Sequence, residues 1–227
     1  MKTILVFCNV VFFNLFAFAQ PETELVKKIK AKLDKVMDYK ANGKMKIDVS
    51  FINAPESNVQ IFFKKPNKFK VKKEGGISLL PKGGVSVNLN SLVPDDQFTV
   101  VPAGKSVVNG MQTTVVKLLP LTDKGDIVLT TLYIDEKALV IRKTSITTKE
   151  NGTYEMELDY GKYLNWGLPD KVAFIFNTKD YKLPKGITFE YEKGKKEPPK
   201  VENTKGKVEI TYTSYQVNKG IADAVFE

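Results

Sequence analysis

The chain has 227 residues and a formal net charge of +9, with one cysteine and no histidine. Without histidine, and with Cys8 inside an apolar leader, histidine-based triads, cysteine nucleophiles and the usual zinc sites are excluded. Arg142 is the only arginine among 35 basic residues, and arginine is the side chain suited to bidentate phosphate and guanine contacts, so nucleic acid binding is not expected.

Met1 and Lys2 lead into an apolar run, Ile4 to Phe18, broken only by Asn9 and Asn14. It closes on Ala17-Phe18-Ala19, a small-x-small cleavage pattern, and is shorter than the roughly 20 residues that span a bilayer core. Residues 1–19 are therefore expected to be a signal peptide cut after Ala19, and residues 20–227 a single exported domain. Cys8 leaves with the leader, so the mature chain must be held together by core burial alone. Losing Lys2 takes the net charge from +9 to +8. A lysine-rich surface suits the anionic face of a membrane, or is merely solvated where acids are interspersed.

From Pro21 to Tyr39, Leu25, Ile29, Leu33 and Val36/Met37 recur at helical spacing, with Glu22 and Glu24 in the first turn; Asn42-Gly43 is expected to end this amphipathic helix. The period then falls to two. Met45, Ile47, Val49 and Phe51 alternate with polar residues, followed by Val59, Ile61 and Phe63, then Phe69 and Val71. Val85, Val87 and Leu89 repeat the pattern, as do Val116 and Leu118, then Leu139 and Ile141. Asn151-Gly152, between Ile146 and Tyr154, reads as a tight type I′ hairpin. Beyond it come Tyr154, Met156, Leu158 and Tyr160; Val172, Phe174 and Phe176; Ile187, Phe189 and Tyr191; and Val208, Ile210 and Tyr212. About ten short strands after one helix predict an α+β, mainly β domain whose antiparallel sheet curls toward a barrel. Lys193 to Lys207 reads as a protruding loop.

Paired carboxylates are the remaining route to catalysis, but Asp95-Asp96 and Asp123/Asp126 sit in polar turns beside Pro or Gly, where Asp bonds locally. Asp135, after Leu132-Tyr133-Ile134, is expected to open a turn with Glu136-Lys137. Neither an enzyme, a cofactor nor a metal site is expected. What is left is an apolar surplus: Phe62 opposes Ile61 and Phe63, Ala173 and Ile175 oppose Phe174 and Phe176, and Ile127 and Leu129 oppose Val128, Leu132 and Ile134. Two apolar volumes are implied, one under the helix and one inside the curl, either filled or left open for a ligand.

The order of these features resembles the LolA-like periplasmic lipoprotein carriers. Ile61-Phe62-Phe63-Lys64-Lys65-Pro66-Asn67-Lys68-Phe69-Lys70-Val71 is similar to that family's aromatic-basic-Pro-Asp/Asn-x-Phe-Arg-Val element, with Lys70 where many relatives have arginine. Val108-Asn109-Gly110, Val115-Val116-Lys117-Leu118-Leu119-Pro120, Leu132 to Asp135, Ile141-Arg142-Lys143 and Asn151-Gly152 follow the family's order. The resemblance implies a half-open antiparallel β-barrel in the periplasm, with the amphipathic helix covering an apolar cavity for acyl chains. Phe51, Ile61, Phe63, Phe69 and Val71 would line the cavity from the first strands. Leu89, Leu118, Leu132, Ile134, Met156, Leu158, Phe174 and Phe176 would line it from the later ones, under a lid of Leu25, Ile29, Leu33 and Met37. Expected partners are lipid or lipoprotein acyl chains, an inner-membrane release complex, an outer-membrane acceptor and a transient anionic membrane contact, with the protein a monomer. The alternative is an envelope sensor or scaffold of the same fold, binding protein segments by an edge strand or the Lys193 to Lys207 loop.

Overall fold

The computed structural model describes residues 21–49, 55–73, 89–93, 98–123, 125–150, 152–177 and 205–226. The leader, Phe51, Asp95-Asp96, Asn151, the expected strands at 85–87 and 187–191, and 193–204 of the expected loop lie outside them.

Helix α1 spans Pro21–Leu33, with Glu22 and Glu24 in its first turn and Lys30 and Lys32 in its last, each charge matched to the helix dipole. It stops six residues short of Tyr39. Strand β1 (Asp38–Asp48) starts there because Tyr39 and Ala41 pair with β2 (Ser57–Lys64) on one side and β10 (Lys205–Val217) on the other. Two ladders satisfy more backbone groups than a further helical turn would. Asn42-Gly43 thus lies in mid-strand and ends no helix. Opposite it, β10 carries an extra residue, Thr213, and this bulge transfers the core-facing role from Ile210 and Tyr212 to Tyr215 and Val217. A Cβ on Gly43 would sit 2.7 Å from the Thr211 carbonyl oxygen, so the bulge requires glycine.

The remaining strands are β3 (Lys68–Lys73), β4 (Phe98–Val108), β5 (Met111–Pro120), β6 (Ile127–Asp135), β7 (Val140–Thr148), β8 (Thr153–Asp159) and β9 (Lys171–Asn177). All ten form one antiparallel sheet ordered β3-β2-β1-β10-β9-β8-β7-β6-β5-β4, which does not close on itself. The fold is mainly β, with a single α-helix among the described residues.

Strand β4 has no counterpart in the sequence pattern. Pro102, Gly104 at φ +81° and a bulge between Pro102 and Lys105 break its alternation, and as the last strand of the order it can accommodate all three. Leu89, expected in a strand, instead starts a 3-10 helix, Leu89–Leu92. Asn109 (φ 48°) and Gly110 (φ 78°) are both left-handed, as a two-residue type I′ turn between β4 and β5 demands. The β7–β8 connection is longer than expected: residues 149–152 separate the strands, with the Thr148 N–H donating to the Gly152 carbonyl at 2.9 Å.

Among the described residues the buried apolar side chains form one principal cluster on the inner face of the sheet rather than two volumes. The outward Phe62 is 7% exposed, yet the ammonium groups of Lys40 and Lys72 lie over its ring at 5.8 and 5.3 Å, so lysine stems cover it. A bulge at Ile127/Leu129 turns Ile127 toward the core and leaves Val128 46% exposed, reversing part of the expected alternation in β6.

Candidate functional site

The site is built from the inner face of the sheet and the side of α1 that meets it. From α1, Val26, Ile29 and Leu33 are buried; Leu25 is only partly buried against the core. Positions 26, 29 and 33 repeat at helical spacing as well as the series through Leu25, and the true face runs through them; Val36 is buried just beyond the helix. Met37 is no part of the lid: it lies beyond the helix and is 54% exposed. The helix rests near β4 and the Leu89–Leu92 turn, and Lys32 Nζ donates to the Ala138 carbonyl at 2.8 Å.

Opposite α1, the sheet brings together the strand residues named from the sequence. Ile61 and Phe63 on β2, Leu118 on β5, Leu132 and Ile134 on β6, Met156 and Leu158 on β8, and Phe174 and Phe176 on β9 are all buried, as is Leu89. Phe69 and Val71 on β3 are partly buried and pack against the same cluster. Cross-strand register explains the convergence: Val116, Leu132, Thr144, Met156 and Phe174 succeed one another across five strands, so one row of side chains crosses the interior. Tyr39, Met45 and Ile47 extend the interior along β1.

The row contains one polar interruption. Thr144 is fully buried between Leu132 and Met156, and its hydroxyl has no hydrogen-bond partner. Thr130, also buried, lies on the same face of β6. Neither stands out in the sequence, since threonine fits either face of a strand.

Toward the end of the sheet where α1 stops, the inner face opens into a groove of about 530 Å3 lined by Lys105, Gln112, Thr114, Ile134, Glu136 and Lys137, among others. Thr114 and Ile134 are register partners continuing the Val116–Leu132 face, so groove and interior share a wall. The Thr114 hydroxyl donates to the Glu136 carboxylate. The β6–β7 turn beside the groove is fixed by Asp135, as expected from the sequence: its Oδ1 accepts from the N–H groups of Lys137 and Ala138, both at 3.1 Å. Its Oδ2 takes the Arg142 guanidinium at 2.9 and 3.2 Å. Burial pulls the Asp135 carboxyl upward, but the Ala138 N–H, Arg142 and the Lys137 N–H together hold it below its ordinary value. Arg142 also stacks on the Tyr160 ring at 5.3 Å, while the Tyr160 hydroxyl donates to the Ile141 carbonyl. The one arginine of the chain thus braces a turn. Asp126 accepts from the Lys149 N–H in an exposed turn, in keeping with its reading as a turn residue.

No family model matches the sequence, and no curated protein matches it. Solved structures do match. A DUF1329 family protein from Desulfovibrio piger superposes with a TM-score of 0.57 at 11% identity, over 92% of this chain and 98% of that one. A LolA superfamily protein from Nitrosomonas europaea gives 0.55 at 9% identity, over 92% and 98%. This chain has a LolA-like fold. A putative outer membrane lipoprotein-sorting protein domain from Vibrio parahaemolyticus gives 0.52 at 12% identity, over 90% and 95%. In LolA-like terms the ten strands are the curved open barrel and α1 is the helix laid across it. Among the described residues no helix is long and apolar enough to cross a membrane.

Proposed function

We propose that this protein is a non-enzymatic periplasmic carrier that takes acyl chains of lipids or lipoproteins between α1 and the inner face of the sheet and moves them toward the outer membrane. The observation that carries this reading is the one apolar cluster on the inner face of an open sheet, crossed by a helix whose buried side is Val26, Ile29 and Leu33. A similar fold in a protein described as an outer membrane lipoprotein-sorting domain supports the same reading.

Among the described residues, Ile61, Phe63, Leu132, Met156 and Leu158 of the interior expose no surface to water. Loading therefore requires α1 to shift, so that a chain replaces side-chain contacts with its own at about 0.8 kcal/mol per buried methylene. The groove beside the end of α1, with Lys105, Gln112 and Glu136, would hold the polar end of the cargo. Release needs an equal offset, from an acceptor membrane or protein partner.

Mass spectrometry of an organic extract of the purified protein, with titration by a fluorescent fatty acid, tests the proposal. Co-extracted acyl lipid and saturable binding are expected. A lipid-free extract together with no probe binding would overturn it.

A further inference from the structure

The lysines of this chain are not distributed evenly with respect to acids. On the outer face of β8–β10, Lys171 and Lys207 both meet Glu209 at 3.0 Å, and Lys143 of neighbouring β7 meets Glu155 of β8 at 3.0 Å. At the β1–β3 end of the sheet, Lys44 meets Glu56 and Asp223 is shared by Lys64 and Lys68. Lys40, Lys70 and Lys72 on that same outer face meet no carboxylate among the described residues, whereas Lys46 stands directly across from Glu209. Register sets the first three around one point: Lys40 on β1 and Lys70 on β3 are the direct cross-strand partners of Phe62, and Lys72 lies over its ring at 5.3 Å.

We propose that the outer face of β1–β3, with Lys40, Lys70 and Lys72 unmatched by acids among the described residues, is a docking surface for an anionic lipid bilayer. The three ammonium groups flank Phe62 from β1 and β3, the strands on either side of β2, and with no carboxylate to offset them the patch favours an external anion. The chemistry of the patch selects a bilayer over an acidic protein. A specific protein interface is built on desolvated aromatic or arginine anchors, whereas the one aromatic here, Phe62, is already buried under lysine stems. Lysine is a compact hydrated point charge suited to a diffuse field of headgroups. The surface faces away from the interior, so this docking is independent of cargo loading and stands or falls separately from the carrier reading.

Co-sedimentation of the purified protein with phosphatidylcholine vesicles, with and without phosphatidylglycerol, tests it. Three variants are compared: wild type, Lys40→Gln/Lys70→Gln/Lys72→Gln, and a control with the same charge change at exposed sites elsewhere, Lys117→Gln/Lys149→Gln/Lys219→Gln. Wild type is expected to bind only the phosphatidylglycerol vesicles and to be released as salt shortens the Debye length. The β1–β3 triple should lose about a hundredfold in affinity, from three lysines near the surface, while the control loses several-fold less. Unchanged melting curves show that both variants fold. Binding that is equally reduced in both triples, unaffected by the β1–β3 triple, or indifferent to salt and anionic lipid would overturn the proposal. So would absence of binding to any vesicle, which would leave an acidic protein as the occupant.

Discussion

The inner and outer faces of the same ten strands are made from nearly opposite materials, and the boundary between them is where stability is expected to be decided. Inside, one row of side chains from Val116 to Phe174 is buried across five strands, and each residue depends on its neighbours for packing. Outside, lysines project into solvent, some paired and some not, and each acts nearly alone. The difference teaches that the composition of this chain says little until register assigns each residue to a face. Inner-face changes should be costly to folding, and outer-face changes should be nearly silent for folding yet visible in binding.

The sharpest way to break that contrast is Leu132→Ala. Leu132 is fully buried in the middle of the row, and losing its side chain should cost about 3–4 kcal/mol, measured by urea unfolding. A cost below about 1 kcal/mol would mean the row is not the core. Next is Arg142→Ala, which strands the Asp135 carboxylate with both side chains only 10% and 14% exposed; about 3 kcal/mol is expected. The sign of its pH dependence follows from Asp135. Because that carboxyl is held below its ordinary value, its contribution is complete above about pH 4 and is lost as pH falls through the lowered folded value. Melting temperature measured from pH 5 to pH 2 should therefore fall more steeply in wild type than in Asp135→Asn.

Thr144→Val is a smaller effect of opposite sign. Its hydroxyl is buried without a partner, so an isosteric methyl should raise stability by about 1 kcal/mol. A loss on substitution would show that the hydroxyl is satisfied in the folded protein. The smallest effect belongs to the outer face: Lys70→Gln should change unfolding free energy by less than about 0.5 kcal/mol. A larger change would mean that the outer lysines support the fold.

Much of this architecture is legible in the sequence because period-two alternation survives wherever a strand is regular. Met45 to Val49, Ile61 to Phe63, Tyr154 to Leu158 and Val172 to Phe176 were readable for that reason, and they supply most of the interior. The failures occur where register breaks. The bulge at Ile127/Leu129 reverses the facing that alternation alone assigns, whereas Val208, Ile210 and Tyr212 lie before the bulge at Thr213 and pack in the core as alternation assigns them. Strand β4 is hidden by Pro102 and Gly104, and the sequence pattern carries the helix too far because Val36 and Tyr39 keep a helical spacing although strand pairing claims Tyr39. The buried face runs through Val26 rather than Leu25, one position away, a difference set by how α1 is rolled against the sheet rather than by its own sequence. The groove and the unpartnered Thr144 required coordinates, since both arise from residues distant along the chain.

Methionine methyl resonances test the central claim most directly, because the described methionines sample distinct environments. Met45 and Met156 are buried in the interior, Met111 lines the groove and Met37 is 54% exposed. With methyl-labelled protein and a fatty acid carrying a nitroxide along its chain, the account predicts saturable broadening of Met156 and Met45 while Met37 stays sharp. Broadening of Met37 alone, or of none of them at saturating fatty acid, would contradict an acyl chain held beneath α1.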